Sequence, residues 1–207
     1  MATREYRSSV RARHAEDTRR TIVEAATELF ASQGYARTSV AAVAAAAGVA
    51  VNTVYTSVGG KPALIMALSE DGAEDTTAIE TVRRIEETDD PAEILRLTAF
   101  GTARVRRARW RVLAILLDNR TADPDVGAAA DAATRVVRDR LDLVAARLVE
   151  TGGLDVGLDV GRVSEVLWFY FGFEAWRTAR GLGWEWDDAA AWLASQAASA
   201  LLPDRVT

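Results

Sequence analysis

The chemistry open to this sequence is narrow. It has no Cys and a single His, His14, which excludes disulfides, thiolate metal sites and a thiol nucleophile and leaves no multi-histidine metal site. There is no Glu-x-x-His pair, no phosphate-binding loop and no Ser-x-x-Lys set. The chain is therefore expected not to be an enzyme and to need no cofactor or metal. What stands out is a short stretch, Thr38 to Lys61. Within it Ala50, Val51, Asn52 and Thr53 open a short helix with a carboxamide, a hydroxyl and two small apolar groups. Such side chains suit the exposed edges of base pairs, which offer hydrogen-bonding groups and a thymine methyl.

The elements that would position them are helical. Ile22, Ala25, Ala26, Leu29 and Phe30 share one face of a first helix. Gly34 stands at the C-terminal glycine position and Tyr35 can fold back as its apolar partner. Thr38 or Ser39 can cap a second helix at about 40–47, because a short hydroxyl accepts an orphan backbone N–H. Gly48 breaks it, and a third helix at about 50–57 stops at Gly59-Gly60. Two short helices joined by a glycine turn describe a helix-turn-helix. Ala44 is small where the pair crosses, and Val43, Val49 and Val54 are apolar where it must pack on the first helix. An Ala-rich helical hairpin with no partner imitates this spacing and remains the plain alternative.

Charge supports looking for an anion at the front of the chain. The net charge is -5 over 207 residues, but residues 1–62 carry +3 and the remainder -8. The 49% apolar and 27% charged content is that of a globular protein. The uncharged stretch 189–203 is shorter than the roughly 20 apolar residues a membrane span needs. The basic N-terminus has no apolar core, so a secretory signal is not expected and a cytoplasmic protein follows.

The stretch from Phe30 to Leu64 resembles the N-terminal domain of the TetR family of bacterial repressors. The matching residues are Phe30, Gly34, Tyr35, Thr38, Val40, Val43, Ala44, Ala47-Gly48-Val49, Thr53-Val54-Tyr55, Lys61 and Leu64. The resemblance covers about 18–68; beyond it the match is one of architecture. It implies an all-α homodimer that binds pseudopalindromic operator DNA and releases it when a small-molecule effector enters the body. Carried over residue by residue, it implies that Thr38 contacts a phosphate and that Ala50, Val51, Asn52 and Thr53 face the groove. Asn52 would read adenine and Val51 touch a thymine methyl. Tyr55 and Lys61, the only lysine, would hold backbone phosphates. Thr56, Ser57, Val58 and Pro62 depart from the family pattern; the hydroxyls of Thr56 and Ser57 can still reach phosphates, but the contact set is thinner. A helical adaptor or ligand-binding protein that has lost DNA binding is the competing reading.

The expected organisation is a flexible basic arm at 1–17, a helix-turn-helix domain at 18–60 and a helical ligand-binding and dimerisation domain at 61–207. Arg4, Arg7, Arg11 and Arg13 in the arm either follow the phosphates, enter a minor groove or form a solvated tail. His14 is assigned nothing. Asp90-Pro91 and Asp123-Pro124 should cap helices. The body is expected to hold helices at about 61–72, 75–87, 91–107, 109–120, 124–150, 160–180 and 187–202. The run 166–173 is apolar all round and must be covered on every side; the resemblance implies a dimer through the last two long helices. Phe100, Trp110, Trp168, Phe169 and Phe173 are the expected pocket walls, for an apolar or aromatic effector. Arg104, Arg106, Arg107, Arg109 and Arg111 are expected to sit at a helix C-terminus, where the dipole favours cations; contact with the DNA-binding unit is the other reading.

Overall fold

The computed structural model describes the backbone of residues 2–70 and 76–203 and the side chains of 13–68 and 76–203. Among these residues every element is an α-helix: α1 (Ala2–Gln33), α2 (Val40–Ala46), α3 (Val51–Ser57), α4 (Lys61–Glu70), α5 (Thr76–Glu86), α6 (Pro91–Asp118), α7 (Pro124–Thr151), α8 (Val160–Phe171), α9 (Phe173–Gly181) and α10 (Trp186–Leu201). None is single, long and apolar enough to cross a membrane. The segment expected as a flexible arm is helical from Ala2, since no Gly or Pro interrupts residues 2–33. The side chains of Arg4, Arg7 and Arg11 lie outside the described residues, as does the stretch 71–75 where two helix ends were expected.

Packing divides the chain along a different line from the functional one expected at residue 60. Met1–Ala73 and Trp110–Ala132 form one compact unit; Glu74–Arg109 and Ala133–Thr207 form the other.

In the first unit α1, α2, α3 and α4 pack together. Ile22, Ala26 and Phe30 recur every four residues along α1 and are buried with Val43, Ala44, Val54, Leu64 and Ile65. α1 ends at Gly34, whose φ of +84° only glycine adopts freely. Tyr35 then folds back with its ring 5.3 Å from that of Phe30. The Asp123 carboxylate accepts from the Asp125 N–H at 2.8 Å and so caps α7, as the Asp-Pro pair predicts.

In the second unit Asp90 caps α6, its Oδ1 accepting from the Ala92 N–H at 3.0 Å. α6 is one 28-residue helix. The break expected near 107–109 is absent because that stretch holds only good helix formers. The five arginines from Arg104 to Arg111 therefore lie mid-helix, and the expected C-terminal placement is wrong. Conversely, the single helix expected at 160–180 is two. Gly172 (φ -65°, ψ 169°) leaves the helical region between α8 and α9. A Cβ on Gly172 would lie 2.4 Å from the Trp168 carbonyl oxygen, so only glycine fits. α10 packs on α8 and α9, burying small Ala189, Ala190 and Ala197 beside Leu193 and Leu201.

Candidate nucleic-acid interface

α2 and α3 meet at 100°, within the range of a DNA-reading helix-turn-helix. The turn is built by backbone bonds around Gly48. Its N–H donates to the Ala45 carbonyl at 3.2 Å, and the Val49 N–H to the Ala44 carbonyl at 3.0 Å. This is the Schellman pattern, and it requires the left-handed φ of +68° at Gly48. Val43, Ala44 and Val54 are buried under the pair, with Val49 half-buried.

Burial of one side of α3 leaves the other to solvent. Ala50, Val51, Asn52, Tyr55 and Thr56 are exposed; Thr53 and Ser57 are half-buried. Tyr55 is 53% and Val51 42% exposed, although both are large and apolar enough to be drawn inward. The Thr56 hydroxyl donates to the Asn52 carbonyl at 3.0 Å, and the Ser57 carbonyl accepts from an Arg19 guanidinium N–H at 3.4 Å. α3 carries no charged side chain of its own.

Cations surround the helix instead. Lys61 is the first residue of α4. Its ammonium donates to the Ala36 carbonyl at 3.1 Å and sits 4.2 Å from the Tyr35 ring centre. Partial burial there lowers its pKa below the usual lysine value. Tyr35 is shifted upward, first by burial and then by the carboxylates of Asp123 and Asp125. Arg37, whose Nε donates to the Gln33 carbonyl at 2.7 Å, is exposed two residues before the cap of α2. Arg37 and Arg19 are not among the site residues expected from the sequence; their positive charge flanking the motif is the signal that points to them.

The two hydroxyls before α2 divide the expected roles. Ser39 is the cap: its Oγ accepts from the Ala42 N–H at 3.1 Å. Thr38 is 2% exposed, and its hydroxyl donates to the Gly34 carbonyl at 2.9 Å. Its expected phosphate contact is corrected: the side chain faces the interior, where it ties α1 to the turn.

The five expected pocket walls do not share one environment. Trp110 lines an open cleft of about 780 Å³ in the first unit, with Phe30, Tyr35, Arg37, Ile115 and Asn119. In the second unit, Phe100 is half-buried with Arg96 5.7 Å from its ring centre, and Trp168 is half-buried with Arg138 at 4.1 Å. Phe173 is 5% exposed. Phe169 is 73% exposed and cannot be a wall within this chain: α8 buries Val163, Leu167 and Phe171, and Phe169 points away from that face.

A sequence model of the bacterial regulatory proteins of the tetR family matches residues 22–78. Curated proteins yield no significant match. Solved structures of the same fold include NalD, the secondary repressor of the MexAB-OprM multidrug efflux pump in Pseudomonas aeruginosa. It is 22% identical, with a TM-score of 0.72, over 93% of this chain and 99% of that one. The transcriptional regulator FadR from Bacillus subtilis, in complex with stearoyl-CoA, is 18% identical with a TM-score of 0.69, covering 86% and 97%. A SmeT–triclosan complex is 19% identical with a TM-score of 0.69, covering 92% and 94%.

Proposed function

We propose that the protein is a ligand-responsive DNA-binding repressor of the cytoplasm, a reading supported by the match of residues 22–78 to the tetR-family model and by the fold shared with the regulators FadR and NalD. The observation that carries this reading is the outward front of α3. Val51, Asn52, Tyr55 and Thr56 are exposed on the helix that follows the glycine turn. Asn52 offers its amide to adenine and Val51 its methyls to thymine. Ala50 and Thr53 border them. Tyr55, Thr56, Ser57, Lys61, Arg19 and Arg37 supply phosphate contacts that set register.

The operator is a pseudopalindrome and the reader a homodimer, because two half-sites one helical turn apart need two copies. The second copy would cover exposed Phe169 of α8 and Trp192 of α10. A small molecule entering the second unit favours a conformation whose two reading heads no longer match the half-site spacing, and DNA is released. The competing reading, an adaptor that has lost DNA binding, rests on the absence of any charge on α3 itself.

Fluorescence anisotropy on fragments of the chain's own upstream DNA tests the proposal. Binding at low salt should weaken steeply as salt rises, because phosphate contacts release counterions. No binding to any fragment at low salt contradicts it.

A further inference from the structure

The second unit contains a charge without a counter-charge. Arg106, on α6, is 3% exposed. Its one hydrogen bond among the described residues runs from Nη2 to the Phe171 carbonyl at 3.1 Å. Its Nε–H is buried and has no acceptor. The guanidinium carbon lies 5.8 Å from the centre of the Phe173 ring, and no carboxylate of the described residues reaches it. Burial alone pushes its pKa down to about 10, so the group stays charged at neutral pH. A buried cation held by one carbonyl is a costly arrangement.

Part of it has a structural reason. Gly172 ends α8, which frees the Phe171 carbonyl at the negative end of that helix. Arg106 caps it. A single neutral carbonyl nevertheless leaves the positive charge uncompensated. A second unmet donor belongs to the same helix as Phe173. Trp176, one turn further along α9, is fully buried and its indole N–H has no acceptor. Phe173 and Trp176 share the buried face of α9.

We propose that Arg106 is the anchor of an anionic effector, an organic monocarboxylate with an apolar or aromatic body. This rests on the reading above, that a small molecule enters the second unit, and names its chemistry. The planar guanidinium matches a carboxylate through its Nε edge, and the Trp176 indole adds a neutral donor. A single negative charge brings the site to neutrality, whereas a dianionic phosphate would leave a net buried charge. The Phe173 ring beside the guanidinium, with Phe171 and Trp176 buried in the same unit, gives apolar surroundings that suit a hydrocarbon or ring rather than an inorganic ion. Because the guanidinium is covered in this structure, the acid binds a conformation in which those rings have moved. Satisfying the buried cation is the free energy that favours that conformation.

The test uses the full chain without DNA, titrated by tryptophan fluorescence with matched pairs: 4-phenylbutyrate against 4-phenylbutanol, octanoate against octanol, and inorganic phosphate. At least one acid should bind about ten- to hundredfold more tightly than its alcohol, the value of a charge-assisted hydrogen bond, and phosphate should not bind. Arg106→Met should erase the preference of acid over alcohol. If that variant does not fold, Trp176→Phe should weaken the acid about threefold and leave the alcohol unchanged. No preference for any acid in the natural protein, or a preference that survives in Arg106→Met or is untouched in a folded Trp176→Phe when Arg106→Met fails to fold, overturns the proposal. Since the readout involves no DNA, failure of operator binding removes the regulatory reading alone, and loss of the acid preference removes this one alone.

Discussion

The front of α3 and the surroundings of Arg106 place polar groups in opposite ways. Around α3 the polar atoms that shape the motif are satisfied: buried Thr38 donates to a carbonyl, Ser39 caps α2, and the Gly48 turn closes its own backbone bonds. What is left unsatisfied there faces water, where it costs little and stays free to meet another molecule. In the second unit Arg106 and Trp176 keep unmet donors in the interior, where they cost stability. A surface that must recognise a rigid partner is best finished in advance. A sensor must be able to exist in two states, and an unmet interior demand is one way to make the second state reachable.

The largest effect that sharpens this contrast should come from the core of the first unit. Phe30→Ala should cost about 3–5 kcal/mol, since the ring is 2% exposed and its removal opens a cavity in the core. Urea denaturation followed by circular dichroism measures it. Tyr55→Ala, on the exposed front, should stay within about 0.5 kcal/mol of the natural chain, and a large loss there would mean that α3's front is part of the core.

Arg106→Met should go the other way and stabilise the unliganded protein by about 1–3 kcal/mol, because it removes an unpaired buried charge while keeping the volume. The sign extends to pH. Below about pH 10 the folded protein holds the charged form at a cost. Above that value the folded Arg106 releases its proton while the unfolded chain still binds one. The stability gap between the variant and the natural protein should therefore narrow as pH rises past about 10. A variant that is several kcal/mol less stable at pH 7 would show that the carbonyl cap outweighs the buried charge. A loss of about 1 kcal/mol is expected at Ser39→Ala by thermal melting, from loss of the α2 cap.

Much of the first unit was legible in the sequence because local rules govern it. Glycine at the ends of α1 and α2, a hydroxyl before α2 and the four-residue spacing of Ile22, Ala26 and Phe30 each follow from backbone chemistry. Local rules do not say which of two adjacent hydroxyls turns inward, so Thr38 and Ser39 could not be told apart. The second unit was harder to read. Five arginines in eight residues look like a helix end or a solvated patch, and only tertiary packing decides that Arg106 is the one enclosed. Gly172 inside an apolar run was a visible signal for the break between α8 and α9, but the run's uniform hydrophobicity masked it. Phe169 is exposed for a related reason: helical phase, not residue type, decides which of a row of aromatics meets the core.

The central claim is that α3 reads base edges while the residues around it hold the backbone. It is tested most directly by measuring Asn52→Ala and Lys61→Ala beside the natural protein on a bound upstream fragment and on a scrambled duplex of equal length and salt. Asn52→Ala should lose about 1–3 kcal/mol of discrimination between the two duplexes and leave binding to the scrambled one unchanged. Lys61→Ala should weaken both alike. Discrimination that survives Asn52→Ala at full strength, with Lys61→Ala equally silent on both duplexes, would contradict the account.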